Sequence, residues 1–439
     1  MKLKKISYFL FLFAPLLAGC ATEDPAADER DGDRVQVSLR LGIDTQADTR
    51  ADYAGRELFS QQALQQVNNL RLYVFDGADG TAQLKEIIPI PDFNNDKAVG
   101  NEEHIYKFDP RLKGGHTYQF LAVGEEEKPT HTDLTSPTYS SPTYSFTTKA
   151  GGALVLGTEQ PDGTLTGGTT LAEMLISLKT EDTKAAEVFA GLSIPYEIDF
   201  NRQTLSATVT LTRVTAGVLG YFTNIPHTIL MSENKEDIET VDAVVVRLTG
   251  KGLSTTLADK TVNTQTPQTA GDYYDILRIE MAGAAYDEVK NIYTREAVTT
   301  GITTRADSWL AGGFVLPFDR TAGEPTFRVL LMHYVIDEAT GQKTGEKILK
   351  SYPVICKASD ASDRTHIGAD LKEIDVMANQ LYSLGIKKEN SNPKSAVEPE
   401  ATPMVDDPID LTRDKILTLR VDANWAVVHD LVLGPEEEL

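Results

Sequence analysis

The sequence predicts an all-β protein: two β-sandwich domains, then a long C-terminal strand carried on a flexible linker. Three observations predict it. Apolar and polar residues alternate at a period of two through most of the chain. The alternating stretches are short and separated by Gly, Pro, Asn and Asp turns. Helical spacing is confined to two pieces, residues 171–178 and 183–189.

The chain opens with a targeting segment. Lys2, Lys4 and Lys5 precede an apolar run over residues 6–17, shorter than the about 20 residues a membrane span needs. It ends in Leu17-Ala18-Gly19-Cys20, which has the form of a bacterial lipobox. Cys20 is therefore the predicted lipidation site, because several acyl chains on one cysteine hold a protein firmly to a membrane. An ordinary secretory signal with a chance cysteine is the plain alternative. Residues 21–34 are acidic and contain proline, as suits a solvated tether.

Val35, Val37, Leu39, Leu41 and Ile43 then alternate with polar residues and predict the first strand. The polar stretch 44–53 follows, and its Arg50–Ala51 bond is a natural target for a trypsin-like protease. Leu70, Leu72 and Val74 predict a second strand ended by the turn Asp76-Gly77-Ala78-Asp79-Gly80. Residues 118–123 are apolar on both faces. Ser136-Pro137-Thr138-Tyr139-Ser140 is repeated at once as Ser141-Pro142-Thr143-Tyr144-Ser145, a local duplication in a loop. Leu205, Ala207, Val209 and Leu211 share a face; after Arg213 the alternation moves to Val214, Ala216 and Val218, which predicts a bulge or bend. Strands follow around Val244, Val246 and Leu248, over 327–336 and over 381–386. Residues 388–410, rich in Pro, Glu, Asp and Asn, form the linker.

The tail carries the longest alternation. Leu417, Leu419, Val421, Ala423, Trp425 and Val427 all fall on odd positions, and Leu431 and Leu433 continue the series. At about 3.3 Å per residue this is a strand of roughly 35 to 55 Å, whose apolar face needs a groove. The organisation is thus 1–19 signal peptide, 20–50 lipidated tether and first strand, 51–203 N-terminal sandwich, 204–388 C-terminal sandwich, and 389–439 linker and last strand.

Composition and motifs exclude several functions. With 65 acidic against 42 basic residues, a net charge of −23, the chain has no clustered cations to hold nucleic-acid phosphates. The histidines at 104, 116, 131, 227, 333, 366 and 429 lack zinc spacing, and His333, within an apolar strand run, reads as a satisfied core residue. Cys356 lies in an apolar run and reads as a buried, inert thiol. Asp92, Asn94, Asp96 and Glu103 have calcium-loop spacing, but Lys97 stands where the turn needs glycine, so a solvated loop is favoured. No nucleophile elbow or phosphate loop is present, and no carboxylate pair stands out. No catalytic residue, metal or cofactor is expected.

The first strand and the tail have matching alternation. Cutting after Arg50 would remove the first strand and expose unpaired edges, which a strand from another molecule could fill. Head-to-tail filling does not close on itself and so builds a filament. Ordinary strand pairing within one chain accounts for the same pattern. A monomeric outer-membrane lipoprotein that binds glycan or another ligand is the competing function.

Four features together resemble the fimbrillins, the lipoprotein-precursor pilus subunits of Bacteroidales. They are the lipobox ending at Cys20; the strand of residues 35–43 followed by Thr49-Arg50-Ala51; Leu211-Thr212-Arg213-Val214-Thr215-Ala216; and the tail with its Trp-x-Val-Val centred on Trp425. The resemblance implies two transthyretin-like β-sandwich domains with a C-terminal donor strand on a flexible linker, and export as an outer-membrane lipoprotein. It implies cleavage by an arginine-specific protease between Arg50 and Ala51, and polymerisation with other copies or related pilus subunits by donor-strand exchange. Val35, Val37, Leu39, Leu41 and Ile43 would then form the removable strand. Leu417, Leu419, Val421, Trp425 and Val427 would form the donor. The family's anchors keep their lipid and its tips lack a donating tail, so the tail argues against a tip and Arg50 against an anchor.

Overall fold

The computed structural model describes residues 36–42, 67, 69–90, 104–108, 110–126, 135–139, 141–180, 183–199, 204–207, 209–232, 237–263, 273–299, 304–319, 327–358, 375–387, 406–413, 417–422 and 429–432. Cys20, Val35, Ile43, Arg50, Ala51, Trp425, Val427 and the calcium-like stretch lie outside these residues.

The period-two stretches become strands. β1 (Gln36–Gly42) is the expected first strand. β2 (Asn69–Asp76) and β3 (Gln83–Ile90) form a hairpin. At its turn Gly77 has a φ of 135°, and Ala82 lies 2.7 Å from where a Cβ would stand, so only glycine fits. β4 (His104–Phe108), β5 (Thr117–Glu125), β6 (Tyr144–Thr148), β7 (Thr158–Glu159) and β8 (Leu165–Thr166) come next. β9 (Met174–Leu178), β10 (Val188–Leu192), β11 (Tyr196–Glu197), β12 (Thr204–Ser206) and β13 (Val209–Arg213) follow.

Val214 and Thr215 form the bend that the shifted alternation predicts, and the chain then enters β14 (Ala216–Thr223). After it come β15 (Thr228–Leu230), β16 (Ile238–Thr240), β17 (Ala243–Thr249), β18 (Ser254–Thr256) and β19 (Tyr273–Glu280). β20 (Ala285–Asp287), β21 (Ile292–Thr294), β22 (Ser308–Val315), β23 (Phe327–Ile336) and β24 (Lys343–Ala358) continue the series. It ends with β25 (Leu381–Leu384), β26 (Ile409–Asp410), β27 (Leu417–Asp422) and β28 (His429–Val432).

Two large sheets organise these strands. The first runs β12-β1-β28-β13-β10-β5-β2-β3, with β4 on β1 and β11 on β5; the second runs β19-β17-β23-β24-β27-β25-β14-β22, with β26 on β14. Residues 204–213, expected to open the second sandwich, thus lie in the first sheet, and the sheets change at the bend. One core of Leu70, Leu72, Phe120, Phe189, Val209 and Leu211 belongs to the first sheet. Another, with Val244, Val246, Val329, Leu331, Trp309 and Leu417, belongs to the second. A third joins them, packing Tyr73, Leu121 and Val188 with Leu219, Phe314 and Leu381.

The two expected helical pieces are not α-helices. Residues 171–173 form one 3-10 turn, and Met174–Leu178 is a strand paired with β6 and β18. Met174, Leu175 and Ile176 are buried and Leu178 partly so in the middle of a three-stranded sheet, so apolar residues fall at helical spacing without helical structure. Residues 183–187 are irregular and lead into β10. Both copies of the duplicated Ser-Pro-Thr-Tyr bury their tyrosine. Tyr139 donates to Glu125, and Tyr144 donates to the carbonyl of Ala186. His333, expected in the core, is instead half-buried on β23 where the strand emerges from it, with Nδ1 3.0 Å from the Thr240 carbonyl and Nε2 3.1 Å from Glu239.

Candidate functional site

The site the sequence points to is built from backbone. β1 supplies one strand of it: Val37, Leu39 and Leu41 lie on β1, which pairs antiparallel with β4 along Val37–Leu41. Its other edge is shared by two strands end to end. Gln36, Val37 and Ser38 pair in parallel with Thr204, Leu205 and Ser206 of β12. Arg40, Leu41 and Gly42 pair antiparallel with Val432, Leu431 and Asp430 of β28.

β28 also pairs with β13, placing Leu431 opposite Val209, Asp430 opposite Thr210 and His429 opposite Leu211. The tail end is therefore a central strand between β1 and β13. Leu205, Ala207, Val209 and Leu211 are all buried and back the arrangement against the first core. At the far end of β13, the Arg213 Nε donates to the Glu187 carboxylate; burial pulls the guanidinium below its usual range, while Glu187 opposes that shift.

The other half of the tail sits in the second sheet. Leu417, Leu419 and Val421 lie on β27, which pairs in parallel with residues 354–358 of β24 and antiparallel with residues 381–384 of β25. Leu417 is 1% exposed and belongs to the second core. The stretch before it is pinned as well. Ile386 and Asp407 exchange both backbone hydrogen bonds, and Lys387 Nζ stands 3.1 Å from Asp406. Asn224 donates to Asp410, the Leu411 amide to the Thr223 carbonyl, and the Tyr352 hydroxyl to the Leu411 carbonyl. Burial raises the Asp410 pKa, but hydrogen bonds from Thr412 and Asn224 outweigh it and hold the carboxyl below its ordinary range.

The structure thus brings together two segments that the sequence singled out separately, the first strand and the tail end. It keeps the tail in two pieces, one in each large sheet. Sequence reading missed β4 and the Lys387–Asp406 closure. The short β4 has no strong alternation, and an ion pair across a long connection leaves no local signature. Chemically the site offers main-chain donors and acceptors over an apolar floor, which is what holds an extended strand.

The family model of the fimbrillin-A associated anchor proteins Mfa1 and Mfa2 matches residues 31–281, more than half of the chain. No curated protein matches it. Among solved structures, a fimbrial assembly protein from Parabacteroides distasonis ATCC 8503 is 15% identical, covering 82% of this chain and 93% of its own, with a TM-score of 0.33. The fimbrial anchor protein Mfa2 from Porphyromonas gingivalis is 14% identical, covering 80% and 89%, with a TM-score of 0.31. The tip fimbrial protein Mfa3 from Porphyromonas gingivalis, with C-terminal truncation, is 12% identical, covering 82% and 96%, with a TM-score of 0.30.

Proposed function

The chain belongs to the family of the fimbrillin-A associated anchor proteins Mfa1 and Mfa2, and from that membership we infer that it is a structural component of a cell-surface fimbria, not an enzyme. Its partners on this reading are other fimbrial subunits. We propose further that it is exported as a lipoprotein acylated at Cys20, is cut between Arg50 and Ala51 by an arginine-specific protease, and joins its neighbours by strand exchange. In that scheme β1 is the removable strand, and the tail from Leu417 onward is the donor.

One observation carries the exchange reading. The segment that cleavage would remove and the segment that would be donated are neighbours in one sheet, through Arg40–Val432, Leu41–Leu431 and Gly42–Asp430. Removing β1 also strips β4 and β12 of a partner, which opens unpaired edges for an incoming strand.

The pairing within one chain favours a second reading, an uncleaved anchor that keeps both its lipid and β1. A monomeric ligand-binding lipoprotein would have the same pairing, and the family membership weighs against it. N-terminal sequencing of protein taken from the cell surface discriminates. A start at Ala51 supports the cleaved subunit; an acylated Cys20 supports the anchor and overturns cleavage at Arg50.

A further inference from the structure

The tetrapeptide Thr49-Arg50-Ala51-Asp52 occurs a second time, as Thr304-Arg305-Ala306-Asp307 between β21 and β22. A protease that reads these side chains meets the same four at both places. At the second copy the fold decides what else it meets. Arg305 and Ala306 are exposed, so the bond between them is within reach, yet the backbone on both sides is tied down. Thr304 and Val298 exchange both main-chain hydrogen bonds. Asp307 has a φ of 53°; its amide donates to the Arg295 carbonyl, and its own carbonyl accepts from the Asn224 amide. An extended substrate strand pairs through its main chain, and this pinned turn has little main chain to offer.

The bonds on Arg305 itself lead to the tail. Its amide donates to the Tyr221 hydroxyl at 3.1 Å, and its guanidinium donates to the Asp406 carbonyl at 3.2 Å. Tyr221, buried on β14, donates in turn to the Asp406 carboxylate at 3.5 Å, and Ser308 Oγ donates to the Arg305 carbonyl at 2.6 Å. Asp406 also holds Lys387, whose Nζ is 3.1 Å away, beside the mutual backbone bonds of Ile386 and Asp407. One aspartate therefore anchors both the root of the tail and the arginine turn. Cutting of a folded chain follows the population of its locally opened form. Because the two anchorages share Asp406, they share one opening.

We propose that Arg305–Ala306 is a conditional processing site for an arginine-specific protease, closed while Asp406 is held by Lys387 and cut when the tail comes loose there. Hydrolysis adds one water across the bond, leaves the carboxylate of Arg305 and the ammonium of Ala306, and breaks the chain between β21 and β22. A subunit whose tail is out of place is thereby removed, and one whose tail is docked is spared. The proposal rests on the reading above only for the presence of such a protease, and it is read at a different bond.

The test adds an arginine-specific endoproteinase to the purified full chain and reads new amino termini by sequencing and mass. The unsubstituted chain should keep its Arg305–Ala306 bond. Lys387→Gln loosens the neck without touching the turn, and Tyr221→Phe removes the acceptor of the Arg305 amide. Each should speed the appearance of an Ala306 terminus at least tenfold, while the bonds after Arg213 on β13 and Arg247 on β17 stay intact. Adding Arg305→Lys should abolish that fragment. Equal rates in the unsubstituted and Lys387→Gln chains, no Ala306 terminus in either variant, or simultaneous cuts after Arg213 and Arg247 would each overturn the gate. An Ala51 terminus is scored separately: its absence removes cleavage at Arg50 and leaves the Arg305 result to be judged by itself.

A measurement without substitutions stands if a variant misfolds. In the unsubstituted chain under low urea, the amides of Arg305, Ile386 and Asp407 should exchange hydrogen at one common rate, faster than those of residues 244–248 on β17. One rate for Arg305 and another for Ile386 and Asp407 would overturn the coupling between turn and tail.

Discussion

Lys387 and Asp406 close a neck: the Nζ lies 3.1 Å from the carboxylate, and the lysine side chain is only 4% exposed. The pair joins the two ends of the connection over residues 388–405, beside the mutual backbone bonds of Ile386 and Asp407. The tail is thereby attached to the second sheet at a defined point. Asp406→Ala removes the counter-charge from a buried ammonium and should cost about 1–3 kcal/mol in urea unfolding. Limited proteolysis should at the same time cut the tail faster than in the unsubstituted chain.

Among the described residues, Arg71 and Glu125 form the most deeply buried ion pair, at 3.2 Å with both side chains 1% exposed. The guanidinium also lies 3.5 Å from the centroid of Tyr139 and 4.2 Å from that of Phe146. Arg71→Met leaves a buried carboxylate without its cation and should destabilise by about 3–5 kcal/mol. Adding Glu125→Gln should recover a large part of that loss. Denaturant midpoints of the single and double variants measure it; additive losses would show that the two groups are not coupled.

Burial pushes the phenols of Tyr73, Tyr274 and Tyr293 up from 10.0 to about 12 each. The folded state thus favours their neutral form. The stability they contribute is complete below the unfolded value of 10.0 and is lost as pH rises through about 12. Ultraviolet absorbance of tyrosinate should show these groups ionising in step with loss of β-structure, after the exposed tyrosines.

Gly252 sits where backbone meets backbone. A Cβ there would lie 2.4 Å from the carbonyl oxygens of both Leu316 and Pro317. Gly252→Ala should cost about 1–3 kcal/mol by overpacking, because no side chain can swing aside. Alanine in place of Gly151 meets nothing within 4 Å, although its φ of 79° still strains any side chain. The two variants separate crowding from backbone strain by their unfolding midpoints.

Arg50→Ala should trap a lipidated, full-length precursor, seen by mass on surface fractions; normal maturation of that variant would move the cleavage elsewhere. Deleting residues 414–439 should leave export intact and abolish strand donation, read as loss of filaments. Because Leu417 is part of the second core, this deletion should also lower the thermal midpoint.

Much of the fold is legible in local pattern. The alternation at Leu70, Leu72 and Val74, the apolar run at 327–336 and the phase change after Arg213 each appear where the structure has β2, β23 and the bend into β14. These signals survive because side-chain alternation is a property of a few adjacent residues. Met174–Leu178 shows the limit: a strand buried on both faces has no alternation to read, and its spacing imitated a helix.

Reading the chain alone therefore gives many of the strands, many positions that can face a core, and the matching alternation of its two ends. It does not give their partners. That β28 lies between β1 and β13, while β27 lies between β24 and β25, emerges only when distant segments meet. Any strand can hydrogen-bond to any other along its backbone, so the choice rests on long-range register, on the apolar floor beneath, and on connections such as the Lys387–Asp406 neck. No window of adjacent residues contains those terms.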